Sequence, residues 1–418
     1  HYIENAFAVW NPPGLAVTVV KDGEIIFKKG YGVRTLETDN NVDEHTLFVC
    51  ASTTKAFTAA GLAMLVDDGK IKWDDHVINY LPDFQLYDPY ITRELTIRDL
   101  LTHRSGLGNT DYLWSWMTIS GDSALYKMRE VKPTYSLRSS FIYQNLMYLA
   151  AGKVIEKVNR QSWESFLKER IYNPLGMHET FATYEMVKEK ENKADAHMTF
   201  EGETIKIDQL VADEIGPAGS MWSSINDMGK WIQFLLNNGI HEGDTLISSK
   251  NFKELFKPQQ IIPENEFYPT QKLTNIPNRP LPSPHNLGQW ELEENGELAL
   301  LMSGVYSMKG EDFVKTETEK PIRITNTKPS LSIDKILGTY KHLHYGTVEI
   351  TKTKNGIQFN LNNTVKGTMS HWHYDTYQIG FDLKMYSKAM VNFRLNAEGE
   401  IGYLEVFGER FEFLSTKK

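Results

Sequence analysis

The longest apolar stretch of this chain, Ala56 to Val66, is preceded by Cys50-Ala51-Ser52-Thr53-Thr54-Lys55 and followed by Asp67-Asp68-Gly69-Lys70. It is too short to cross a bilayer, and its flanks Lys55 and Asp67 are charged. The pattern predicts a helix that begins near Ser52 and stops at the Asp-Asp-Gly-Lys turn. Such a start puts Ser52 and Lys55, three positions apart, on one face, where hydroxyl and ammonium can meet. A serine hydroxyl is a poor nucleophile until a neighbour takes its proton. A lysine partly buried among apolar residues has its pKa lowered enough to do so. The unpaired N–H groups of a first helical turn also favour developing negative charge. Taken alone, Ser-x-x-Lys equally describes an N-cap serine with a solvated lysine.

The rest of the composition narrows the class. A length of 418 residues, 41% of them hydrophobic, is enough for a large core and a further domain, so two domains are expected. There are 45 basic and 54 acidic residues, a net charge of −9, and no basic runs, so nucleic acid is not an expected partner. A single cysteine, Cys50, rules out an internal disulfide or a thiolate metal cage and leaves the redox compartment open. No transmembrane segment is expected. The sequence starts at His1, not at methionine, which suits an exported protein, periplasmic or extracellular, whose signal segment is not visible.

Along the chain, residues 1–9 read as the end of a helix, broken by Asn11-Pro12-Pro13-Gly14. Leu15 to Val20 and Ile25-Ile26-Phe27 flank an Asp22-Gly23 turn and predict a hairpin. Trp73 to Ser105 reads as short helices and turns; His103 there reads as a packed helix-end residue. Tyr143 and Asn145 precede a helical run, Leu146 to Gly152. Another helix is expected at Ser162 to Leu167, and Gly216 to Ser220 is expected as a tight loop before a helix at Ile225 to Leu236. Residues 258–286 are proline-rich and read as a surface excursion. Leu287 to Leu292 and Glu297 to Met302 predict a second hairpin. From about Leu337 short alternating strands with Gly or Asn turns predict a separate antiparallel β module.

Ser52-Thr53-Thr54-Lys55, followed about 90 residues on by Tyr143-Gln144-Asn145, resembles the first two motifs of the serine β-lactamase and penicillin-binding-protein superfamily. More narrowly, the chain resembles the class C β-lactamase-related branch of D-peptidases and esterases. Pro13 to Val17, Leu100 to Leu107, Pro174 to Met177 and Gly216 to Gly219 carry that likeness. Leu337-Gly338-Thr339-Tyr340 and His371 to Asp375 resemble the lipocalin-like β-barrel found after some such catalytic domains. The resemblance implies an α/β (α+β) fold, an antiparallel sheet flanked by helices with a helical lobe, over residues 1–308. A linker at 309–330 and the β-barrel-like domain at 331–418 would follow. It also implies an acyl-enzyme on Ser52, with Lys55 taking the proton, Tyr143 relaying it, and Asn145 binding the substrate amide. No cofactor or metal is expected, and the partner is a small-molecule or peptide substrate: a D-amino-acid peptide, an ester or a β-lactam-type amide.

The third motif is where the sequence departs from that family. In place of Lys or His, then Ser or Thr, then Gly, the matching position holds Met302-Ser303-Gly304. Methionine lacks the hydrogen-bonding or cationic group used on a substrate carboxylate. Ser303, Gly304 and the backbone N–H of Val305 remain as substrate-binding candidates, the last with Ser52 N–H as an oxyanion hole. The departure motivates an alternative, a weak or inactive member that binds cell-wall peptides or a protein partner. His371 and His373 alternate as two imidazoles on one strand face could, but without a third ligand they read as barrel lining or packing.

Overall fold

In the computed structural model the apolar run forms helix α1 (Thr54–Asp67), and every residue from Thr54 to Leu65 is buried. A helix that is apolar all round is stable only when enclosed by other elements. Phe57 stacks on Trp231 with ring centroids 4.1 Å apart and meets Tyr172 edge-on. Gly61 makes room for Phe166, whose ring would lie 2.9 Å from a Cβ at that position. The helix stops where expected. Gly69 has φ +69°, and the N–H groups of Gly69 and Lys70 close onto the carbonyls of Val66 and Leu65, a left-handed exit suited to glycine.

The start of α1 differs from the expectation. Ala51–Thr53 forms a separate 3-10 turn and the α-helix begins only at Thr54. The hydroxyls of Thr53 and Thr54 donate back to the carbonyls of Cys50 and Ala51 and tighten the turn from within. Ala51 takes φ 45°, a left-handed value that an L-residue holds only when its surroundings impose it.

The structure describes residues 2–108, 110–115, 117, 119–200, 203–259, 291–294, 297–300, 323–343, 345–354, 356–382 and 388–415. They divide into two compact units. The first comprises residues 1–111, 120–197 and 205–307, the second 112–119, 198–204 and 308–418.

In the first unit α1 packs against helix α2 (Asn145–Asn159) and against the single turn α3 (Gly216–Gly219). The Gly216 to Ser220 stretch is thus helical and not the loop its glycines suggest. Pro217 sits in the first turn, where its fixed φ favours helix, and Ser220 N–H returns to Gly216 O. Gly152 of α2 accommodates Pro217; a Cβ there would lie 2.1 Å from the proline Cγ. Thr58 of α1 donates to Pro217 O at 2.8 Å and accepts from Trp163 Nε1 at 3.1 Å. The predicted helix α4 (Ile225–Leu236) has those bounds, with Ser224 as N-cap accepting from Asp227 N–H. It lies on the hairpin of β1 (Gly14–Lys21) and β2 (Glu24–Gly32). That hairpin turns at Asp22-Gly23, both with positive φ as the favoured two-residue turn requires. The second hairpin is present between Glu291–Glu294 and Glu297–Leu300, its first strand running on through Glu293 and Glu294; the rest of the expected strands, residues 287–290 and 301–302, lies outside the described residues. The proline-rich excursion lies almost entirely outside the described residues.

The second unit contains a closed eight-stranded antiparallel barrel. Its strands are β3 (Gly338–His342), β4 (Gly346–Thr353), β5 (Gly356–Leu361), β6 (Val365–His373), β7 (Thr376–Phe381), β8 (Ala389–Leu395), β9 (Ile401–Val406) and β10 (Glu409–Ser415). β3 pairs with both β4 and β10, which leaves no edge. Alternate side chains, among them Tyr340, Ile350, Phe359, Phe393 and Phe411, form one buried core cluster, as eight strands enclose a space that side chains can fill. A bulge between His371 and His373 breaks the alternation that would align the two imidazoles. His371 Nε2 lies 2.8 Å from Tyr374 O, and His373 Nδ1 accepts from Ile324 N–H at 3.3 Å. Among the described residues no group of three or more His, Cys, Asp or Glu is placed to hold a metal.

Candidate active site

Ser52 lies in the middle of the 3-10 turn before α1, and the turn is held from the α3 side. Cys50 N–H donates to Met221 O at 2.7 Å, and Met221 N–H donates to Thr54 Oγ1 at 3.2 Å. Gly219 of α3 faces the same backbone; a Cβ there would be 3.7 Å from the Ala51 carbonyl carbon. Cys50 is buried, and burial pushes its thiol up to about 12.

Lys55, on the first turn of α1, is 1% exposed. Its Nζ has partners from three directions: Ser52 Oγ at 3.2 Å, Asn145 Oδ1 at 2.8 Å and Ala218 O at 2.6 Å. Burial lowers its pKa from 10.5 to about 7, and the charge of Asp111 opposes that shift. Tyr143 donates its hydroxyl to Ser52 Oγ at 2.7 Å, and its ring centroid is 4.8 Å from Lys55 Nζ. The Tyr148 ring lies 5.3 Å from the same nitrogen.

Tyr143 is positioned from behind. His103 is buried at φ 55° and stacks on the Tyr143 ring, centroids 4.5 Å apart, while its Nδ1 accepts from Gln144 N–H at 3.0 Å. It supports the turn, in keeping with a packed helix-end histidine. Gln144 is buried too, its amide accepting from Thr110 Oγ1 and donating to the carbonyls of Leu107 and Gly108. Gln144, not Asn145, is the N-cap of α2, and Asn145 is its first residue. The Asn145 side chain is therefore free to point at Lys55, and its Nδ2 donates to Asp111 Oδ1 at 2.8 Å.

The structure thus brings Lys55 and Tyr143 onto the Ser52 hydroxyl and Asn145 onto Lys55. Ser303, Gly304 and Val305, with Met302, lie outside the described residues. Two groups at the site have no counterpart in the sequence reading. The Ala218 carbonyl is backbone, which residue type does not disclose. Asp111 stands in a loop after Leu107-Gly108, with no spacing to single it out.

Ser-x-x-Lys and Tyr-x-Asn converging on one hydroxyl, at the mouth of a buried helix, is the pattern of the penicillin-binding and β-lactamase class of serine hydrolases. The chain matches the β-lactamase family over residues 8–268, and it belongs to that family. Residues 323–417 match a domain of unknown function, DUF3471. The chain is 30% identical over 250 residues to the unguisins hydrolase of Aspergillus violaceofuscus, covering 56% of this chain and 44% of that protein. It is 26% identical over 254 residues to penicillin-binding protein 4 of Amycolatopsis lactamdurans, covering 59% and 65%. The chain therefore spans less than two thirds of the length of each. Among solved structures, the octameric penicillin-binding protein homologue of Pyrococcus abyssi shares the fold with a TM-score of 0.60 at 18% identity, over 98% of this chain and 97% of that one. The D-amino acid amidase of Ochrobactrum anthropi does so with a TM-score of 0.57 at 21% identity, over 70% and 79%.

Proposed function

We propose that this chain is a serine hydrolase working through an acyl-enzyme on Ser52, with Lys55 as base and Tyr143 as proton relay. The set of partners around Lys55 Nζ carries this reading. A neutral amine has two N–H bonds and one lone pair. Asn145 Oδ1 and Ala218 O can only accept, so they take the two N–H groups, and the direction of Ser52 Oγ is left to the lone pair. With a pKa of about 7, a large fraction of Lys55 is in that neutral form near neutrality.

The chemistry follows from the distances. Ser52 Oγ bonds to the substrate carbonyl carbon as its proton moves to Lys55. The Tyr143 hydroxyl, already on Ser52 Oγ, passes its proton to the departing amine or alcohol as the bond to the carbonyl carbon breaks and takes in its place the proton Lys55 received, and the acyl group stays on Ser52. Water then attacks the ester carbonyl as its proton passes through Tyr143 to Lys55, and that proton returns to Ser52 Oγ as the acyl–oxygen bond breaks and the acid leaves. The name of the amidase that shares the fold supports amides, and D-amino-acid peptides, short esters and β-lactams are the first candidates.

The test is covalent labelling by a fluorophosphonate or a penicillin, read by intact mass. A single adduct mapping to Ser52 is expected, formed faster as pH rises through about 7 because Lys55 loses its proton there. No adduct under forcing conditions would favour a binding protein instead.

A further inference from the structure

We propose that Asp111 is a positioning residue for this site: its carboxylate locks the Asn145 amide with the oxygen toward Lys55, and so aims the Lys55 lone pair at Ser52. The proposal rests on the reading of Ser52 as nucleophile and Lys55 as base.

The two ends of a carboxamide are alike in shape and opposite in hydrogen bonding. One end of Asn145 lies 2.8 Å from Asp111 Oδ1 and the other 2.8 Å from Lys55 Nζ. An ionised carboxylate only accepts, so the NH2 end must face Asp111 and the oxygen is left for Lys55. If the amide turned over, its N–H would donate to the lone pair of neutral Lys55. That lone pair would then be spent on Asn145 and not on Ser52. Ala218 O cannot prevent this, because it engages a different N–H of the amine.

The carboxylate has a second effect on the same lysine. Among the described residues, Tyr143 from the turn before α2, Tyr148 from α2 and Asp111 are the titratable groups brought against Lys55, with His103 behind the two tyrosine rings. Asp111 carries the negative charge of this set, so it favours the charged lysine against the effect of burial. Removing the charge should move the lysine midpoint to lower pH even as the rate falls. A purely structural loss would not produce that combination.

The experiment measures fluorophosphonate labelling rates of the full chain between about pH 5 and pH 10 for wild type, Asp111→Asn, Asp111→Glu, Asn145→Ala and Asn145→Ala with Asp111→Asn. A small reagent of this kind does not depend on substrate contacts of Asn145. Asp111→Asn should slow labelling at the plateau by roughly tenfold, part of what a positioned base contributes, and shift the midpoint to lower pH. Asp111→Glu should restore the midpoint and most of the rate. With Asn145 already removed, Asp111→Asn should change the plateau rate by no more than about twofold. If circular dichroism shows Asp111→Asn unfolded, Asp111→Ser takes its place. An equal loss in both backgrounds, or an unmoved midpoint, overturns the proposal. A wild-type chain that forms no adduct overturns the hydrolase reading, and the proposal with it.

Discussion

The Ser52 hydroxyl caps no helix: the turn around it is fastened by Thr53 and Thr54, neither the turn nor α1 uses a side-chain cap, and Ser52 Oγ serves Tyr143 and Lys55 instead. Ser52→Ala should therefore lose no cap and cost only what Tyr143 and Lys55 lose with their shared partner, about 1–3 kcal/mol, while abolishing adduct formation. Thermal melting paired with mass labelling checks both halves, and retained labelling would remove Ser52 from the mechanism. Lys55→Ala and Tyr143→Phe should each slow acylation by about a hundredfold or more. Combined, they should do little worse than the more damaging single change, because both act on the same proton; multiplicative losses would mean separate roles. The meeting of Ser52, Lys55, Tyr143 and Asn145 could be read from the sequence because each contributes a side chain at a motif position. Asp111 and the Ala218 carbonyl could not. One is an ordinary loop acid until folding brings Asn145 to it, and the other belongs to the backbone.

At the level of elements, the site depends on how closely α2 approaches α3. Gly152 meets Pro217 with no room for a methyl group, and the next residue, Ala218, offers its carbonyl to Lys55. Gly152→Ala should overpack this contact at a cost of about 1–3 kcal/mol and slow Ser52 labelling by displacing that carbonyl. Denaturant midpoints and labelling rates on one preparation would show both; lost stability with an unchanged rate would mean α3 yields without moving Ala218. Helices with a serine before an acid-containing first turn, such as α4 after Ser224, could be bounded from sequence because their caps are local. The α3 turn could not. Its glycines and proline read as breakers, and only the packing of Gly152 and the Thr58 bond to Pro217 O make a helical turn of them.

Over the whole molecule, the alternating strands beyond Leu337 announced a β module, but closure was not legible, since it depends on pairing between its first and last strands, β3 and β10. The barrel has a core of its own, with Phe359 fully buried in it. Phe359→Ala should destabilise the barrel by about 3–5 kcal/mol. Hydrogen exchange should then show protection lost across Gly338–Ser415 and kept in α1; equal loss in both would contradict separate cores. Cys50 supplies the means to study the two units together. It is the chain's one cysteine, and both its enclosure and its raised pKa keep it from forming the thiolate that alkylating dyes require. A surface cysteine introduced into each unit would be the reactive pair, so donor and acceptor fluorophores could follow the distance between them without first deleting the native sulfur.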